Sequence, residues 1–176
     1  MPGVRRSPVY TDRAPRLGPV LLWQASRRLY TTGHFRLAKA LKGVVFLVFR
    51  AVLPPEAVVG RNVRLEHYAL GVVIHPNTVI SDGCRIYHGV TIGSSAAIGS
   101  ADKILIGSDV VIGAHAVVLN HAGRTLRIGD GSRIGANALI VDDVPAGATV
   151  VAPLARMRDA EAVPVNERPL PAGAAE

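Results

Sequence analysis

Two histidines recur in the same local setting. His67 is the third residue of a hexad opened by Leu65, and His88 is the third residue of a hexad opened by Ile86. An imidazole changes charge near neutral pH, which makes it the ordinary choice for a general base. If the two hexads share a face in successive coils, the rings lie about 4.8 Å apart, one strand spacing. Two imidazoles that close resist double protonation, which keeps one neutral and able to take a proton. Glu66 precedes His67, and their hexad is three residues too long, running on through Tyr68-Ala69-Leu70-Gly71. His67, Glu66 and His88 are therefore the candidate catalytic group.

The stretch from Val59 to Val151 must position them. Every sixth residue there is aliphatic with few misses: Ile74, Ile80, Ile86 and Ile92, then Ile106, Ile112 and Val118, then Ile128, Ile134 and Ile140. Gly often follows, and a small or β-branched residue stands four places on at Thr78, Val90, Val110, Ala116, Ser132 and Ala138. A period of six is neither helical nor simple strand alternation. It is the signature of a hexapeptide parallel β-helix, whose stacked coils bury one continuous core. The step of fourteen from Ile92 to Ile106 reads as two extra residues bulging within Ser94–Lys103. The step of ten from Val118 to Ile128 reads as a four-residue bulge around His121–Arg124. On the face next to the histidines, Ser94, Ala114 and Ala136 fall in one column of third positions. Such a column makes a shallow groove where an extended ligand can lie against backbone amides, and Arg133 beside it could meet phosphate. His75, His115 and His121 fall elsewhere in the register and read as surface or subunit-contact residues.

The chain of 176 residues is one domain with appendages. Its single cysteine, Cys84, excludes a disulfide framework and a cysteine-only metal site. The apolar run Gly43–Phe49 lies too far in for a secretory signal and is well short of the roughly 20 residues that span a bilayer, so a cytoplasmic protein is expected. The net charge of +7 is uneven: residues 1–50 hold ten of the 20 Lys+Arg and one acid, Asp12. Any basic surface is thus N-terminal. Residues 1–16 read as a flexible basic arm. The helical region 17–55 holds one helix from Pro19 to Tyr30, with Arg27 and Arg28 outward, and a second from about His34 to Val52, ended by Pro54-Pro55. The solenoid occupies 56–157, and 158–176 form a disordered or draped tail. The apolar hairpin suits packing on the solenoid base or on other subunits, with peripheral membrane contact as the alternative. Nucleic acid is disfavoured, because the basic residues lack interleaved exposed aromatics and any recognisable module.

The run Leu65-Glu66-His67-Tyr68-Ala69-Leu70-Gly71-Val72-Val73-Ile74, followed by Ile86-Tyr87-His88-Gly89-Val90-Thr91-Ile92-Gly93, resembles the serine acetyltransferase branch of the hexapeptide acyltransferases. The resemblance covers about Pro54 to Met157. It implies a left-handed β-helix, a homotrimer (or hexamer) with active sites between subunits, acetyl-CoA as co-substrate and no required metal. His67 matches the family's catalytic histidine, and Glu66 an acidic residue that helps hold the amino acid. Gly93 and Ser94 match the glycine-rich turn near the thioester, where a backbone N–H could support the oxyanion. Ala114 and Ala136 match small residues lining the pantetheine groove.

Four departures accompany these matches. The family aspartate that orients the histidine falls at about Val52, with Glu56 the nearest acid. The arginine-histidine pair for the serine carboxylate falls near Asp102-Lys103, leaving Lys103 to meet an anion. The C-terminal Gly-x-Pro-Ala-Arg pattern reads Ala152-Pro153-Leu154-Ala155-Arg156, and the loop holding His67 is one residue longer. The expected reaction is acetyl transfer from acetyl-CoA to a hydroxyl of a small acceptor, a sugar or a serine-like amino acid. The departures point toward the sugar branch, with strict serine O-acetylation as the alternative. Two readings from other classes are a zinc lyase resembling γ-type carbonic anhydrases and a catalytically silent solenoid scaffold.

Overall fold

The computed structural model describes residues 18–154, so the arm at 1–16 and the tail at 158–176 lie outside the described residues. Helix α1 (Pro19–Thr31) opens on a proline, whose fixed φ suits a first helical turn and whose missing N–H is not needed there. Helix α2 (Phe35–Phe49) stops short of the expected Val52. Arg50 turns left-handed and breaks the helix, which lets Val52 join the sheet by bridging to Val73. The hairpin closes one end of the solenoid. Trp23 is fully buried and its Nε1–H donates to the Pro54 carbonyl at 2.8 Å. Arg27, expected to point outward, turns in and donates to the carbonyls of Pro55, Glu56 and Ala57 at 3.4, 3.1 and 2.9 Å. Backbone carbonyls at the first corner need a donor, and the guanidinium supplies it.

Four coils follow, each of three short strands. The first holds β1 (Val58–Val59), β2 (Arg64–Leu65) and β3 (Val73–Ile74), and the second β4 (Thr78–Ile80), β5 (Arg85–Ile86) and β6 (Thr91–Ser94). The third holds β7 (Ile104–Ile106), β8 (Val111–Ile112) and β9 (Val117–Asn120). The fourth holds β10 (Leu126–Ile128), β11 (Arg133–Ile134) and β12 (Leu139–Ile140), and β13 (Thr149–Val150) continues the stack. Corresponding strands pair in parallel into three sheets, ordered β1-β4-β7-β10, β13-β11-β8-β5-β2 and β12-β9-β6-β3. The result is a mainly β parallel solenoid of about four turns behind two helices, the architecture of a left-handed β-helix.

The ten periodic aliphatics all point inward, none more than 4% exposed, and the residues four places after them are buried with them. Each coil therefore lays two inward residues per face into a single core cluster that also takes in Trp23 and Val45 of the hairpin. Between the first and second sheets the chain corners on glycine. A Cβ on Gly60 or Gly107 would collide with Asp82 or Asp130 of the next coil. Those aspartates instead cap the corner below, accepting the N–H of Arg61 at 2.8 Å and of Ser108 at 2.7 Å. The backbone N–H of Arg61, with its guanidinium, holds the Asp82 carboxyl below the usual carboxylate range.

Strand pairing corrects the count of insertions. Ile92 pairs with Val118 in the third sheet, and Ile106 pairs with Ile80 in the first. They sit on consecutive faces, the last of the second coil and the first of the third, so the fourteen-residue step is one hexad with eight extra residues, not two hexads with two. A period counts residues and not faces, so an insertion longer than a hexad imitates a hexad plus a short bulge. The excursion is anchored by Asn77, which is 3% exposed. Its amide donates to Ala97 O and Ser100 Oγ and accepts the N–H of Gly99.

Ile112→Ala, at a fully buried position of the central coils, should lower the unfolding free energy by about 2–5 kcal/mol in urea titrations. Gly113→Ala should destabilise as well although it adds only a methyl, because the new Cβ would stand 2.6 Å from the backbone nitrogen of Ala136.

Candidate active site

Strands β2 and β5 stack in register, Leu65 on Ile86. Two residues further on, that register sets His67 over His88, with ring centroids 4.8 Å apart and Nδ1 to Nδ1 at 2.7 Å. So short a contact between two ring nitrogens needs one to donate and the other to accept, so at least one ring is neutral. When His67 donates from Nδ1, its lone pair lies on Nε2, free for an incoming proton.

Holding His67 there takes an uncommon backbone. His67, Tyr68 and Ala69 are all left-handed, with φ of 51°, 57° and 61°. That conformation costs an L residue roughly 1–2 kcal/mol. Neighbouring bonds enforce it: Val72 N–H donates to Ala69 O at 2.9 Å, and Gly89 N–H donates to Leu70 O at 2.8 Å. Ala69 is itself fully buried. The long hexad is thus a tight left-handed turn, Glu66–Ala69, anchored by Ala69 and presenting an exposed His67.

A third histidine joins them. His115, which the register argument set apart, stands edge-on to His88 with centroids 5.1 Å apart. It occupies the space over Gly89, where a Cβ would strike its ring. The signal was present in the sequence, since Gly89 and His115 are the fourth residues of hexads that stack, Ile86 on Ile112. Among the described residues no group of three or more His, Cys, Asp or Glu is arranged to hold a metal ion. His121 is exposed, while burial lowers the His75 pKa and its Nδ1 accepts the N–H of Asn77.

The other expected residues divide. Glu66 does not bond to His67: its carboxylate accepts from Arg85 Nε and Nη2 at 3.2 and 3.1 Å, and Arg64 lies 3.6 Å away. Among the described residues no carboxylate bonds to His67, and Val52, at the place of the family aspartate, is bridged to Val73. Ala114 and Ala136 do form a column, but Ser94 does not belong to it. Ile86, Ile112, Ile134 and Val150 are stacked partners, so His88, Ala114, Ala136 and Ala152 follow one another up a single corner. Ser94 pairs with Asn120 in the third sheet, and its hydroxyl accepts the N–H of Ala96. The misplacement follows from the miscounted insertion. The corrected column is more telling, because the small-residue groove now rises directly from the histidine pair.

Gly93 lies within β6 between Thr91 and Ser95, whose N–H groups donate to Ala116 and Asn120 of the next coil. The even spacing of a parallel ladder turns the Gly93 N–H to that same neighbour, so it is not available for an oxyanion. Arg133 is on the outer face of the second sheet, in one row with Arg85 and Arg64. Lys103 ends the long insertion, its N–H bonded to Thr125 Oγ1 and its carbonyl accepting from Asn120. Asp102 accepts the Gly123 N–H, tying the two insertions together. This cluster leaves the corner between the third and first sheets, whereas the histidines occupy the corner between the second and third.

No family model matches the chain. Among curated proteins it is similar to the serine acetyltransferase of Helicobacter pylori strain J99, 33% identical over 137 residues, covering 78% of this chain and 77% of that one. Among solved structures it is similar to soybean serine acetyltransferase complexed with serine, with 30% identity, a TM-score of 0.69 and coverage of 78% of this chain and 55% of that one. It is also similar to the Brucella abortus serine acetyltransferase in complex with coenzyme A, with 28% identity, a TM-score of 0.69 and coverage of 78% and 53%. The chain thus spans about half the length of those two solved enzymes. With 33% identity to the Helicobacter pylori enzyme over more than three quarters of both chains, the chain belongs to the serine acetyltransferase family of hexapeptide-repeat acyltransferases.

Proposed function

We propose that this protein transfers an acetyl group from acetyl-CoA to the hydroxyl of L-serine. The observation that carries the reading is the His67–His88 pair at the foot of the Ala114–Ala136–Ala152 column, which we read as the groove for the acyl donor. An extended pantetheine arm lies in the groove and delivers its thioester to the histidine end. His67 Nε2 takes the hydroxyl proton as the serine oxygen attacks the thioester carbonyl. The tetrahedral intermediate then collapses, the C–S bond breaks, and the departing thiolate recovers the proton from His67. His88 is the positioning residue, accepting the Nδ1–H of His67 where other members of the family use a carboxylate.

Serine is favoured over a sugar acceptor because the proteins this chain is similar to are serine acetyltransferases, one of them solved with serine. The sugar reading retains one departure, that Asp102 falls near the sequence position of the family's arginine-histidine pair for the serine carboxylate. Because Lys103 and the histidines leave different corners of one coil stack, the two act on one ligand only across subunits, which supports a trimer with interfacial sites.

Thiol release from acetyl-CoA should depend on L-serine, and His67→Ala should lower kcat/KM by about 10²–10⁴-fold. Release with sugars alone would transfer the reading to the sugar branch, and release with no acceptor would overturn it. His88→Gln, whose amide oxygen still accepts a hydrogen bond, should retain more kcat than His88→Leu, with KM for acetyl-CoA unchanged in both. Equal losses in the two variants would remove the positioning role.

A further inference from the structure

The outer side of α2 is apolar and uncovered. Ala38 and Val45 turn inward and are fully buried, while Leu37, Ala40, Val44, Leu47 and Val48 follow one another at helical spacing on the other side. Leu47 and Val48 are 68% and 64% exposed, a large share for aliphatic side chains. Arg36 and Lys39 fall together on one flank of this stripe, Arg50 follows its end at the left-handed cap, and none of the three forms an ion pair among the described residues. No helix among the described residues is long and apolar enough to cross a membrane. An exposed apolar stripe with a cationic flank on a helix too short to span is the pattern of a segment lying in a bilayer surface.

Charge selects among occupants. Residues 1–50 carry ten Lys and Arg against one acid. A second copy seated on this face would bring two such segments together in like-charge repulsion. An anionic bilayer supplies the missing counter-charge, and arginine and lysine stems beside an apolar face can reach phosphate while the stripe enters the headgroup boundary. We infer that α2 docks this protein peripherally on anionic lipid membranes through Leu37, Val44, Leu47 and Val48, with Arg36, Lys39 and Arg50 engaging lipid phosphates. The solenoid then stands off the surface with its histidine corner outside the contact.

The test is co-sedimentation of the full chain with phosphatidylcholine vesicles, with and without phosphatidylserine, at low and high salt. The expected result is binding to phosphatidylserine-containing vesicles that falls about tenfold or more when phosphatidylserine is omitted or salt is raised. Val44→Asp/Leu47→Asp should abolish that binding, and Arg36→Glu/Lys39→Glu should erase the preference for anionic lipid. Both variants should keep the wild-type melting temperature and rate of acetyl transfer, since neither pair is buried or part of the site. No binding to anionic vesicles, or equal binding with and without phosphatidylserine, would overturn the inference. So would Val44→Asp/Leu47→Asp halving the solution mass while leaving vesicle binding intact, which would mark the face as a contact between copies.

Discussion

The vertical register of the parallel coils is the constraint on which everything else rests. Each inward aliphatic sits on its counterpart one turn away, as Ile86 does on Leu65 and Ile112, and a slip of one residue would turn every such side chain out to water. Insertions therefore leave only at corners, where the ladder is already interrupted. The same stacking explains Gly113, whose missing side chain lets the next coil come within backbone contact. It also turns a pair of positions distant in the chain, His67 and His88, into immediate neighbours.

At that corner two local demands conflict. The ladder fixes where His67 begins, yet bringing its Nδ1 to 2.7 Å from His88 requires three successive left-handed residues. Buried Ala69 and the bonds of Leu70 and Val72 hold the turn against its preference. Strain of this kind concentrates where geometry serves function. An imidazole partner differs from a carboxylate in being neutral when it accepts. In the proposed mechanism it would orient the base without adding a charge, and Glu66, the acid nearest in sequence, is bonded to Arg85 with Arg64 close by.

The helical hairpin has two unlike sides. One is part of the core, with Trp23 and Val45 buried and Arg27 bound to three solenoid carbonyls. The other presents aliphatic side chains to the outside. Since the hairpin's inner side already closes the solenoid end, the exposed stripe is surplus to folding the single chain.

The hexad period by itself determined the solenoid, its inward residues and the His67–His88 contact, because side-chain direction in a stacked ladder follows from residue count alone as long as the count is unbroken. Composition and two proline signals likewise located the helices, though not the end of α2, which depended on Val52 finding a partner in Val73. What followed Ile92 was another matter. Eight inserted residues read as a hexad and two, and every face assignment that relied on crossing them moved. Only the three-dimensional pairing decided that Ser94 leaves the groove, that Ala152 extends it and that His115 packs on His88. Side-chain partnership was equally out of reach: Arg27 turned inward and Glu66 was taken by arginines, because a flexible charged group goes to whichever unpaired partner the folded backbone brings near. Periodicity is local and legible in a sequence, whereas the choice among competing partners exists only once the chain has closed on itself.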